Sequence, residues 1–138
     1  ATRGFTWHNS FPILFISGPG ASTSYHMDRS FVLAWQVTGS KRFAGLRDPN
    51  KWAPKDIRLN HVTGQMMRPE GLTEADALVY EMPPGTALWN SILTPHWVDA
   101  MDGQPAMTLS LVMQGLRYQG QLSPYEAEYF AHSGHFGG

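Results

Sequence analysis

Short apolar runs cut by glycine and proline set the pattern of this chain. Phe11–Ser17 (FPILFIS) is predicted as a strand ended by GPG. Phe31–Val37 (FVLAWQV) is another, turning at TGS and returning through Lys41–Leu46. RDPNKWAP, residues 47–54, reads as loop. Ala77–Met82 is a short strand before the turn PPG, with a strand at Ala87–Ile92 after it and a further one at Trp97–Ala100. Met107–Met113 alternates cleanly: Met107, Leu109, Leu111 and Met113 fall on one face, Thr108, Ser110 and Val112 on the other. Helical signal is confined to Thr73–Leu78, where TEAD reads as a capped first turn, and to Pro124–His132. Many short strands with so little helix predict an all-β sandwich or barrel, because a parallel α/β fold needs longer helical segments between its strands.

Composition narrows the picture further. The 138 residues suit one domain, 1–138, with the glycine-rich 120–138 as a C-terminal extension. Charged residues are 15% against a usual share of about 25%, which argues against disorder. The net charge of -1, with no basic block, predicts no direct nucleic-acid binding and no attraction to an acidic membrane. No apolar run approaches the roughly 18 residues of a spanning helix. Absence of cysteine excludes disulfides and thiolate zinc sites. The first ten residues lack a signal-peptide pattern, so the expected location is cytoplasmic. The start at Ala1 rather than Met fits either a processed chain or a piece of a longer one.

Candidate chemistry begins at SYHMD. On a strand or its extended lead-in, residues i and i+2 share a face, so His26 and Asp28 point together and Met27 points away. An imidazole and a carboxylate so spaced can take two adjacent positions on one metal, and His96 in TPHWV is the best third ligand. Two His and one carboxylate on one face of an octahedral ion is the arrangement of non-haem Fe(II) oxygenases. On spacing alone the bland readings stay open: H-x-D pairs recur by chance, a His beside Trp97 is as well a packed residue, and Lys41 in TGSKR reads as an exposed turn lysine. Gln36 is either a polar wall of a cavity or a core-edge residue. Asp99, three residues after His96, would face away from it on a strand. His132 and His135 read as mobile and non-catalytic, and His8 and His61 have no partner at useful spacing.

Taken together, HMD, WQVTGSK and PPGTALWNSILTPHWV resemble the JmjC/cupin-like Fe(II)- and 2-oxoglutarate-dependent oxygenases, the bacterial cupin-like members above all. The likeness runs from Phe11 to about Met113 and includes the interval from His26 to Lys41 and from Pro84 to His96. It implies a double-stranded β-helix (jelly roll) with Fe(II) held by His26, Asp28 and His96. Lys41 is then the partner of the distal carboxylate of 2-oxoglutarate, with the Thr23 hydroxyl beside it. It implies hydroxylation of a protein side chain or small metabolite, with a homodimer as one expected assembly. Rival readings are a metal-dependent cupin that does not use 2-oxoglutarate, and a non-catalytic ligand-binding jelly roll.

Several positions depart from the family pattern. Val32 stands where an asparagine is common, Thr86 where an acidic residue is usual, and WNSILTP in place of a Y-I-P segment; Ser110 is the nearest equivalent of a late asparagine. Tyr25, Trp35 and Trp97 are weak candidates for pocket walls. The loop around Asp48–Gly71 is the expected cover of the pocket, and the substrate itself is not legible.

Overall fold

The computed structural model describes residues 3–60, 66–101 and 103–133. Two four-stranded antiparallel sheets form the body. We label the strands β1 (Phe5–Thr6), β2 (Asn9–Ser17), β3 (Ser22–His26), β4 (Phe31–Thr38), β5 (Lys41–Leu46), β6 (Ala77–Met82), β7 (Ala87–Asn90), β8 (His96–Ala100), β9 (Ala106–Gln114), β10 (Arg117–Tyr118) and β11 (Gln121–Leu122). One sheet runs β2-β9-β4-β7 and the other β3-β8-β5-β6; β1, β10 and β11 make a small third sheet. Consecutive strands alternate between the two large sheets except at the β5–β6 pair, which is the double-stranded β-helix the sequence implied.

The alternation along each strand decides what lies between the sheets. On β9 the hydroxyl-bearing face, Thr108 and Ser110 with Val112, is buried, while Leu109 and Leu111 are exposed. The sandwich interior therefore holds a cavity whose apolar walls carry a set of polar side chains, and the packed apolar clusters lie elsewhere. One gathers Tyr25, Ala44, Leu46, Leu72, Ala77 and Trp97 on the outer side of the β3-β8-β5-β6 sheet, with Trp52 and Met66 against it. The other gathers Met27, Phe31, Ile92, Leu93 and Met113, against which Leu59 and Tyr129 pack.

Segment 47–54 differs from the loop expected of it. Asp48 accepts the N–H groups of Asn50 and Lys51 and starts helix α1 (Pro49–Trp52), with α2 (Lys55–Asn60) directly after. Thr73–Leu78 shortens to a 3-10 turn at Glu74–Asp76, because Ala77 onward is drawn into β6 against β5. Its TEAD does close a cap: the Thr73 N–H and hydroxyl both donate to Asp76. The strand expected to Ile92 stops at Asn90. Helix α3 (Pro124–Ser133) agrees with the sequence to one residue.

A buried carboxylate fastens α3 to the end of β9. Glu126 is fully buried, its two oxygens accepting the Gly115 and Leu116 N–H groups at 2.8 and 2.9 Å. Burial pushes its pKa above the ordinary 4.5. The folded state thus holds this proton more tightly than the unfolded one, so stability declines as pH rises from the ordinary carboxylate range through the raised pKa, and is level above it. Glu126→Gln is expected to remove that slope, and Glu126→Ala to destabilise by about 2–3 kcal/mol through two unsatisfied amides, read by urea unfolding across that pH range.

Candidate metal centre and anion pocket

A bulge in β3 assembles one wall of the cavity. Thr23 pairs with Val98 and His26 with His96, so three steps on β3 face two on β8. The extra residue lets Thr23 and His26 share the inward face although they are three apart. Asp28 follows just beyond the strand end. His96 opens β8 opposite His26, the two rings 4.2 Å apart between centroids.

Ring orientation is fixed the same way twice. The Nδ1 of His26 lies 2.7 Å from the Ser24 carbonyl, and that of His96 2.8 Å from the Thr94 carbonyl. Each Nδ1–H donates to a carbonyl two residues back, which leaves both Nε2 lone pairs directed at Asp28. His26 Nε2 is 3.8 Å from Asp28 Oδ1 and His96 Nε2 is 3.6 Å from Oδ2. One ligand atom from each of the three residues falls within 4.8 Å of the others. Burial, and after it the neighbouring His26, push the His96 imidazole down to about 4, so it is neutral at pH 7. That is the form able to donate a lone pair to a cation.

Asn90 was not singled out by the sequence reading and completes this wall. Its Nδ2 donates to Asp28 Oδ2 at 3.2 Å and lies 3.4 Å from His96 Nδ1. It is the direct cross-strand partner of Val32, so an amide absent from β4 is supplied from β7. Alternation within ALWN, which turns Leu88 and Asn90 inward together, was the available signal. The turn into β8 is pinned to the same place. Leu93, buried and at φ +58°, donates its N–H to the Asp28 carbonyl at 2.8 Å, a strained backbone held beside the cluster.

Lys41 opens β5 on the same cavity. The cavity measures about 230 Å³ and is lined by all eight strands of the two large sheets, including His26, Asp28, His96, Asn90, Lys41 and Thr23. Lys41 is only 6% exposed. Its Nζ stands 5.8 Å from the Phe15 ring centroid, and among the described residues no carboxylate lies within ion-pair distance of it. Burial holds its pKa below the ordinary 10.5. The turn lysine expected from spacing alone is therefore an inward cation.

Other sequence candidates fall outside the cavity wall. Gln36 is fully buried and occupied: it accepts the Thr108 hydroxyl at 2.7 Å and donates to the Thr38 and Gly39 carbonyls, clamping the β4–β5 turn. Tyr25 and Trp97 lie in the outer cluster and Trp35 on the exposed outer face, each one step out of phase with an inward neighbour. Asp99 faces outward, opposite Arg42. His132 is bonded to Asn60 and joins α3 to α2, and His8 borders a separate surface hollow. His61 and His135 lie outside the described residues. No described residue of the 48–71 segment lines the cavity; α1 and α2 dock on the outer clusters instead, and the rim is formed by Phe11, Ile13 and Phe15 of β2.

No family model matches the chain, and no curated protein matches it in sequence. Solved structures do. An oxalate decarboxylase of Lactobacillus farciminis, in a formate complex, is 16% identical with a TM-score of 0.53 over 78% of this chain and 24% of that one. The oxalate decarboxylase of Bacillus subtilis, in work on its Mn(II) centres, is 16% identical with a TM-score of 0.52 over 91% of this chain and 29% of that one. The chain has a cupin fold. A Streptococcus pyogenes protein of unknown function, SPY1581, aligns at 10% identity and a TM-score of 0.51 over 79% of this chain and 68% of its own length. At such identities the likeness is one of fold, and the chain spans about a quarter of either decarboxylase. No described helix is long and apolar enough to cross a membrane.

A buried cation without a counter-ion costs folding free energy. Lys41→Met is therefore expected to stabilise the ligand-free chain by about 1 kcal/mol or more in urea unfolding. A destabilised Met variant would show that Lys41 has a partner in the fold.

Proposed function

We propose that this cupin is an Fe(II)/2-oxoglutarate-dependent dioxygenase, most simply a hydroxylase of a protein side chain or small metabolite. The observation that carries the reading is one cavity holding both a His/Asp/His cluster and a buried, anion-free lysine. Two imidazoles and a carboxylate suit a divalent first-row ion, and their convergence on one side leaves room for further ligands. His26, Asp28 and His96 would hold the iron, with Asn90 keeping the Asp28 carboxylate turned toward both rings. Lys41 would neutralise the distal carboxylate of 2-oxoglutarate, with the Thr23 hydroxyl on the same wall. Bound iron would supply the redox chemistry, splitting O2 between succinate and the substrate while CO2 leaves. The chain's share is to orient the keto acid and to exclude water with Val32, Leu88, Val98 and Val112. At about 230 Å³ the cavity is smaller than the usual 300–1,000 Å³ ligand pocket, so the substrate is taken to approach from the β2 rim.

One observation favours a second reading. The B. subtilis decarboxylase, similar in fold, carries Mn(II) centres, so a metal-dependent cupin that acts on a small carboxylate without 2-oxoglutarate uses the same parts. The two separate on stoichiometry. Anaerobic titration should give one Fe(II) and one 2-oxoglutarate per chain, and air should then yield succinate; His26→Ala should lower Fe(II) affinity at least a hundredfold. Metal binding with no succinate under any substrate screen would leave only the second reading, and no metal binding would sink both.

The lysine also sets a pH signature. An anion raises the pKa of Lys41 back from its depressed value, so binding takes up a proton wherever the free lysine is neutral. Affinity for 2-oxoglutarate is expected to fall as pH rises through that depressed pKa, and to be level below it. Lys41→Arg should abolish the alkaline fall, in calorimetric titrations over the same range.

A further inference from the structure

Most residues that line the cavity are buried or half-buried; Phe11, Phe15 and Thr23 are the exposed ones. The mouth therefore lies between β2 and β3, the edge strands of the two large sheets. Two of its three exposed side chains are phenylalanines, 40% and 44% exposed, with Ile13 between them on the same face of β2. Large apolar groups held in water at the mouth of a cavity are unfavourable unless something covers them. Deeper in, Val32, Leu88, Val98 and Val112 form the wall, and Ser30 and Ser110 add neutral hydroxyls. Among the described residues, the ionisable side chains that line the cavity are His26, Asp28, His96 and Lys41 alone.

We infer that the substrate presents an uncharged apolar group of side-chain size, aromatic or branched aliphatic, to this cavity, and that Phe11, Ile13 and Phe15 select it. The inference rests on the proposed dioxygenase reading, in which the metal engages the His/Asp cluster and 2-oxoglutarate engages Lys41. With those charges taken, an ammonium, guanidinium, carboxylate or phosphate that enters finds no counter-ion, and an unpaired charge removed from water is strongly disfavoured. An apolar group meets the opposite balance, because it and the exposed rings leave water together. Size sets the second limit. A cavity of about 230 Å³ that must also hold a keto acid admits one further group, so the remainder of the substrate lies over the rim. Phe15 joins the two regions. Its ring is exposed at the mouth, yet its centroid is 5.8 Å from Lys41 Nζ, so a group seated on it lies beside the distal end of the co-substrate.

Calorimetric titration of the whole chain, loaded without oxygen with Mn(II) and then 2-oxoglutarate, tests it. The probes are the N-acetyl amides of leucine, phenylalanine, lysine and glutamate. The leucine or the phenylalanine amide is expected to bind at least tenfold more tightly than either charged amide. Phe11→Ser is expected to weaken that binding at least fivefold; should it fail to fold, Phe15→Ser carries this arm. The loading step separates the two claims. A chain that takes up 2-oxoglutarate yet binds a charged amide as tightly as the neutral pair, or binds none of the four, would overturn the inference alone. A chain that takes up no 2-oxoglutarate would overturn the dioxygenase reading and the inference with it.

Discussion

The arrangement depends on one uncompensated charge. Lys41 begins β5 with its side chain turned between the sheets, where an ammonium without an anion is unfavourable. Nothing local forces that orientation except strand phase. Phe43 must face the same way to stack on His96 at 4.8 Å, and Ala44 and Leu46 must face outward to reach Trp97 and Leu72. The packing of the outer cluster thus holds a cation inside, and the cavity it meets already contains a carboxylate committed to two imidazoles. The charge is left without an anion among the described residues.

The opposite wall is rigid for related reasons. Two backbone carbonyls fix two imidazole tautomers, Asn90 fixes the carboxylate between them, and the Leu93 turn ties the far histidine to Asp28 through the backbone. The Lys41 cation and the His/Asp cluster thus face one cavity from paired strands, so on the proposed function a keto acid spanning them would be held at both ends.

Much of this was legible in the sequence, and the rest was hidden for identifiable reasons. Seven of the eight strands of the large sheets followed from short alternating runs and turn residues, β3 being read at most as a lead-in, while the jelly-roll arrangement came from the family resemblance; His26, Asp28 and His96 came from residue types and spacing, and Lys41 from the family interval. The structure brings those four onto one cavity. Strand phase was the weak link: apolar alternation on β9 gave two faces but not which was inside, and here the apolar one is outside. The same ambiguity let Tyr25, Trp35 and Trp97 pass as pocket walls. Asn90 was hidden because its role needs Asp28, 62 positions away. The helix at Pro49–Trp52 was missed because RDPNKWAP reads as loop, although Pro49 suits a first turn.

The measurement closest to the central claim compares two keto acids on the Mn(II)-loaded chain by calorimetry. 2-Oxoglutarate and 2-oxobutanoate share the chelating head, and only the first has a distal carboxylate for Lys41. Pairing of Lys41 with the distal carboxylate requires 2-oxoglutarate to bind at least tenfold more tightly, with the gap closing in Lys41→Met. Equal affinities in the unaltered chain would contradict it.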